Sequence, residues 1–169
     1  MEYFIKPILG IIASEEGLLD DIIKDVEGFF GKPDIFGEWR DFDHTDYYEM
    51  EMGKGLRRCF VSFERLMSPE SSVEYKRWLA GVEDKYRHSG NRTVNLDAGY
   101  IDANKVVLMS AKHGGNKISV GKNTWADLLL WYNKGWVAQP WAFPDFRDGG
   151  YFETFMKMRS RFKEQSKKM

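Results

Sequence analysis

A chain of 169 residues is long enough to bury a core without disulfides or a structural metal, and it fits one domain. Hydrophobic content of 43% with 30% charged residues excludes wholesale disorder, and a single cysteine, Cys59, excludes an internal disulfide framework and any multi-cysteine zinc or iron–sulfur site. A net charge of −1, a pI near 6.3 and the lack of a basic stripe interleaved with aromatics argue against nucleic-acid binding.

The first predicted element is a strand over residues 3–13. Its early Glu2 and Pro7, with no basic region ahead of them, set it apart from a signal peptide. Ser14 is placed to cap a helix running through Phe30, with Glu15 and Glu16 favourable in its first turn. Leu18, Leu19, Ile22, Ile23, Val26, Phe29 and Phe30 recur at three- and four-residue spacing and give that helix one core face. Gly31 and Pro33 stop it. A second strand is expected from Asp34 to about Phe42, followed by the acid- and aromatic-rich loop FDHTDYYEMEMG, Phe42 to Gly53. LRRCFVSFE resumes strand character, with Cys59, Val61 and Phe63 alternating onto one face.

Ser68-Pro69-Glu70 reads as a helix start, a cap residue followed by proline at the first helical position. That helix carries Tyr75, Trp78, Leu79, Val82 and Tyr86 inward and ends near Gly90. RTVNLDAGYI is then a fourth strand, which completes the order β-α-β-β-α-β. The fold class is therefore α+β, a ferredoxin-like core with both helices on one face of an antiparallel sheet. The last third adds strands at KISV, WADLLLWY and WVAQ, the last two joined by the tight turn YNKGW. Residues 103–111 read two ways, β-branched residues favouring a strand and Asp102 as cap with Gly114 as stop favouring a helix, and the strand is preferred. PWAFPDFRDGG crosses to a closing helix from about Tyr151, which buries Tyr151, Phe152, Phe155, Met158 and Phe162. No composition break divides the chain, so residues 1–169 form a single domain. No apolar run reaches the roughly 20 residues that span a bilayer, and a cytoplasmic location is the expectation.

The charge is unevenly spread. Between Glu15 and Glu51 thirteen acids face three bases, Lys24, Lys32 and Arg40. The last helix reverses this, with Lys157, Arg159, Arg161, Lys163, Lys167 and Lys168 against Glu164. These regions are complementary, within one chain or between two, and ferredoxin-like sheets pair through exposed edges, so a homodimer is an expectation by analogy.

The nucleotide and nucleophile motifs fail on spacing. GGNKISVGKNT encloses five residues between Gly115 and Gly121, and Lys122 precedes Asn123 instead of serine or threonine, so it is not a phosphate loop. NKIS lacks the aspartate of N-K-x-D, and neither G-x-G-x-x-G nor G-x-S-x-G occurs. His44 and Asp46 share one side of an extended segment and, with Asp43 or Asp97, would offer nitrogen and oxygen ligands. With three histidines and no H-x-x-x-H spacing, no metal site is assigned and no cofactor is named.

Two places remain where chemistry can sit. Asp46 in the FDHTDYYEMEMG loop meets Asp97 if the loop folds over the end of the fourth strand, and close carboxylates acquire acid–base capability, so these two are the catalytic candidates. The strand end NLDAGY brackets Gly99 with Asn95, Asp97 and Tyr100, and Lys105 and Lys112 follow. With Thr45, Tyr47, Tyr48 and Trp141 these form the candidate ligand site, suited to a small anionic or nucleotide-like compound. The alternative is a protein-interaction or assembly module without chemistry.

Taken together, FDHTDYYEMEMGKGLRRCFVSFERL, VNLDAGYI, KVVLMSAK and QPWAFPDFRD resemble a bacterial family catalogued as a domain of unknown function, number 4416, whose members are frequently auto-named GTP-binding protein. The likeness spans nearly the whole chain. The positions that carry over are Thr45, Asp46, Tyr47, Tyr48, Glu51, Met52 and Gly53, then Asn95, Leu96, Asp97, Gly99 and Tyr100, then Lys105, Lys112, Pro140, Trp141, Pro144 and Asp145. His44 stands where the family pattern has an aromatic, and Ala98 replaces its usual proline. The resemblance implies no established activity, and the failed motifs lend the GTP label no support.

Overall fold

The apolar run of the first strand has no polar alternation, and the reason is that helices cover both of its faces. The computed structural model describes residues 3–121 and 123–168. In chain order the elements are β1 (Lys6–Ala13), a 3-10 turn (Glu16–Leu18), α1 (Leu19–Phe30), β2 (Pro33–Phe36), β3 (Arg40–Asp41), α2 (Glu49–Met52) and β4 (Arg57–Phe63). Then come α3 (Ser71–Lys85), β5 (Arg87–His88), β6 (Asn91–Arg92), β7 (Val94–Ile101), β8 (Lys105–Ser110), β9 (Ile118–Gly121), β10 (Thr124–Tyr132), β11 (Trp136–Ala138), α4 (Pro144–Arg147) and α5 (Phe152–Ser166).

The fold is α+β, built on a large antiparallel sheet. Among the described residues the sheet has 9 strands in the order β11-β10-β8-β7-β1-β4-β2, with β3 on β4 and β9 on β10. The strands β7, β1, β4 and β2 are the four expected from the sequence, and β8 continues them into the added C-terminal strands. One face carries Leu9, Ile11, Val61, Phe63, Leu96 and Ala98 against Ile22, Val26 and Phe30 of α1 and Tyr75, Leu79 and Val82 of α3. The other carries Ile8, Phe60, Leu108 and Leu130 against Phe146, Tyr151, Phe155 and Met158 of the C-terminal helices. Each fully buried Leu or Phe of these layers contributes about 1.5–3 kcal/mol, so the two faces share the stabilising work. Among the described residues no helix is long and apolar enough to cross a membrane.

Several local expectations shift. Ser14 does not cap α1. The chain passes through the 3-10 turn first, and the cap position falls on Leu18 without a side-chain hydrogen bond. The strand expected from Asp34 to Phe42 is broken into β2 and β3. At Gly37 the chain runs against α5, where a Cβ would lie 2.8 Å from Thr154 Cγ2 and 3.0 Å from the Phe60 carbonyl. Helix α3 starts at Ser71, after a turn in which Ser71 N–H donates to the Ser68 carbonyl at 3.2 Å. It ends at Lys85, because Ser89 and Gly90, both with positive φ, turn the small hairpin β5–β6. Residues 105–110 form a strand, as β-branching indicated.

Candidate functional site

The sheet splits between β7 and β8. Those strands pair only from Gly99–Leu108 to Ile101–Val106, whereas β7 stays on β1 back to Val94 and β8 stays on β10 out to Ser110. Gly99 permits the crossing, since a Cβ there would sit 2.4 Å from the Val107 carbonyl oxygen. Beyond it, β7 has no strand partner on that side among the described residues, and helix α3 supplies the missing bonds. Leu96 N–H donates to Glu83 Oε1 at 2.6 Å, and Lys76 Nζ donates to the Leu96 carbonyl at 2.9 Å.

The opening is a cleft of about 810 Å³, a size typical of small-molecule sites. Its walls come from the loop before α2 (Thr45, Tyr47, Tyr48), from α3 (Lys76, Arg77, Ala80, Glu83), from β8 and the residues after it, and from β10 (Thr124, Asp127, Leu129). Arg58, Asn95 and Asp97 form the floor, and Phe143 closes one side. Among the described lining residues six are cationic (Arg58, Lys76, Arg77, Arg92, Lys112, Lys117) and three anionic (Glu83, Asp97, Asp127), a positive balance in a chain of net negative charge.

The floor is a connected network. Lys76 Nζ lies 3.0 Å from Asp97 Oδ1, and Asn95 Nδ2 donates to Asp97 Oδ2 at 2.9 Å. Burial alone would raise the Asp97 pKa, but Lys76, Arg58 and the Asn95 amide outweigh it and hold the carboxyl below its ordinary value. Arg92 chelates Glu51 through Nε and Nη2, both at 2.8 Å, and reaches Glu83 at 3.1 Å and Asn95 at 3.2 Å. Burial, reinforced by the Asp97 charge, pushes the Tyr48 hydroxyl up to about 12, so the loop tyrosine and the strand aspartate share one electrostatic environment.

Arg58 is 2% exposed. Its Nη1 donates to Asp145 Oδ2 at 2.8 Å, where the Tyr151 hydroxyl also donates at 2.9 Å. The guanidinium carbon lies 4.3 Å from the Phe42 ring centroid and 5.3 Å from that of Phe143. On the opposite wall, burial raises the Asp127 pKa, a tendency opposed by Lys117, the Asn116 amide and the Trp141 indole. Lys112 Nζ sits 4.0 Å above the Tyr47 ring and joins the two lips of the cleft.

Of the residues singled out from sequence, Thr45, Tyr47, Tyr48, Asn95, Asp97 and Lys112 line this cleft together. Asp46 is exposed and outside the lining, and its carbonyl accepts the Glu49 N–H that opens α2. Tyr100 points to the opposite face and packs with the α1 and α3 cluster. Lys105 pairs with Asp102, which also accepts from Tyr3 at the β7–β8 turn. Trp141 is not a lining residue, although its indole donates to the Leu128 carbonyl behind Asp127. His44 lies 3.7 Å from Asp43, and among the described residues no three of His, Cys, Asp and Glu form a metal-binding group.

Sequence reading missed Arg58, Lys76, Arg77, Glu83, Arg92 and Asp127. Arg58 had a legible signal, a charged residue in register with Phe60 on the face that Cys59 and Val61 do not use. Lys76, Ala80 and Glu83 have helical spacing, but nothing local marks that face as lining a cleft. The profile of a family described as a domain of unknown function (DUF4416) matches residues 4–162. No curated protein and no solved structure matches the chain.

Proposed function

The chain belongs to that DUF4416 family, and we propose that its cleft binds a small organic anion, nucleotide-like in size and polarity. One observation carries this reading. Arg77, Lys112 and Lys117 stand in the cleft wall with no carboxylate within ion-pair distance among the described residues, while the cations beneath them are paired. Unpaired cations around a concave site favour an anionic guest. Asp97, held below its ordinary pKa by Lys76 and Arg58 against the effect of burial, and Asp127, raised by burial, line this cleft as carboxylates in opposed environments.

A thermal-shift panel of organic phosphates and polycarboxylates at millimolar concentration tests the binding. At about 100 times Kd, mass action adds about 2.7 kcal/mol, or roughly 5–10 °C of Tm for a chain of this length. The shift is expected to disappear in Arg77→Glu/Lys112→Glu. A panel without any shift, or a shift unchanged in that variant, rules the reading out.

The strand order β7-β1-β4-β2, with α1 and α3 on one face, supports a ferredoxin-like assignment for that part of the sheet. A second functional reading, an assembly module, is favoured by Trp131 and Val137, exposed cross-strand partners on β10 and the edge strand β11. A homodimer through that edge would show in sedimentation and be lost in Val137→Asp. The buried free Cys59 supports a reducing, cytoplasmic location.

A further inference from the structure

We infer that the cleft is bipolar and takes a nucleoside monophosphate end-on, its phosphate among the cations of the mouth and its neutral, planar base on the floor. This rests on the anion-binding reading above and adds ligand class and orientation to it.

Exposure grades the cleft. Arg58 and Asn95 are 2% and 5% exposed, whereas Arg77 and Lys112 are exposed side chains. The buried end is charge-compensated. Arg58 faces Asp145, Lys76 faces Asp97, and Arg92 faces Glu51 and Glu83. A phosphate pushed down to this level meets the Asp97 carboxylate and gains no free cation in return. The floor nevertheless keeps hydrogen-bonding capacity of both kinds. Arg58 spends only Nη1 on Asp145, leaving further guanidinium N–H groups. Asp97 accepts one bond on each oxygen, Lys76 on Oδ1 and Asn95 on Oδ2, so a lone pair remains on each.

Arg58 donors and Asp97 acceptors lining one floor, each already held in an ion pair, complement a group that presents N–H and C=O on one edge. A nucleobase has such an edge, and so has any amide-bearing heterocycle. Tyr48 and Phe143 line the same space with ring surface suited to stacking a planar head. The two ends differ in what they reject. The floor excludes charge because desolvation there is uncompensated, and the mouth gains little from a neutral group because its lysines and arginine are already hydrated.

The test is calorimetric titration of the full chain with the four common nucleoside monophosphates, the matching nucleosides, ribose 5-phosphate and inorganic phosphate at fixed salt. At least one monophosphate is expected to bind about tenfold or more tighter than both its nucleoside and ribose 5-phosphate, each end supplying one or two charge-assisted or base-edge hydrogen bonds. Arg77→Ala/Lys112→Ala is expected to bring the monophosphate down to the affinity of its nucleoside and leave nucleoside binding unchanged. Asp97→Asn should erase the preference among bases and spare ribose 5-phosphate. Both positions of the double variant are exposed, so that arm does not depend on a buried substitution. Equal binding of ribose 5-phosphate and monophosphate overturns the floor assignment while leaving an anion cleft. Equal binding of nucleoside and monophosphate overturns the mouth assignment. If no phosphate compound in the series binds but a polycarboxylate stabilises the fold, the nucleotide class is wrong and the anion-binding reading stands. If neither binds, both fall.

Discussion

Asp145→Ala removes the carboxylate that receives Arg58 Nη1 at 2.8 Å and the Tyr151 hydroxyl at 2.9 Å. The paired side chains are only 2% and 3% exposed. The substitution therefore leaves a guanidinium buried among Phe42, Phe143 and Phe146 with no anion in reach of Nη1. Breaking a buried pair from one side costs about 3–5 kcal/mol, much of it the uncompensated remaining charge. For a chain of this length that corresponds to a Tm drop of roughly 6–20 °C. Replacing both partners by apolar residues of similar volume, Arg58→Met/Asp145→Leu, removes two desolvation costs along with the attraction, so the double variant is expected to be milder than either single one. Asp145 Oδ1 adds to that expectation, being buried without a hydrogen-bond partner. Urea denaturation of the wild type, Asp145→Leu, Arg58→Met and the double variant yields the coupling directly, with about 2 kcal/mol or more expected. Single variants that cost less than about 1 kcal/mol, or a double variant equal to their sum, would refute the idea that this pair pins α4 to the sheet.

Gly99→Ala places a methyl 2.4 Å from the Val107 carbonyl oxygen and 2.5 Å from Leu108 Cδ2, so it should cost about 1–3 kcal/mol and speed hydrogen exchange along β8. An unaltered urea midpoint would show that β8 shifts freely. Asp97 has a folded pKa below its unfolded value of about 4. Its contribution to stability is therefore present above about pH 4 and lost as pH falls through the folded pKa, so Asp97→Asn should flatten the acid limb of stability measured from pH 2 to 6. Asp127 behaves with the opposite sign. Its folded pKa is raised, so its ionisation costs stability as pH climbs past the unfolded value of about 4. Asp127→Asn is expected to leave stability at neutral pH equal or higher, because the replacing amide oxygen still accepts from Asn116. A clear loss at pH 7 would reverse that assignment.

The sequence by itself determined one layer, α1 and α3 against one face of the sheet, while the packing of Phe146, Phe155 and Met158 on the other face came from the tertiary structure. Period-2 alternation in LRRCFVSFE and three- and four-residue spacing in residues 18–30 state which side of each element is apolar, and that information is local. It also brought out the TDYY and NLDAGY segments, whose Thr45, Tyr47, Tyr48, Asn95 and Asp97 do share one space. Alternation could equally have separated Tyr100 from Asp97, since odd and even offsets along a strand face opposite ways. Only the tertiary structure decided where the cleft lies. The parting of β7 from β8 depends on Gly99 meeting Val107, on β8 following β10, and on α3 taking over the Leu96 backbone bonds. Those partners come from separate elements, and no periodicity within one element encodes the gap between two. The same holds for charge. Arg58 and Arg77 look alike in the sequence, yet folding pairs one with Asp145 inside the core and leaves the other in the cleft wall without an ionic partner among the described residues, because a buried charge must be matched and an exposed one need not be.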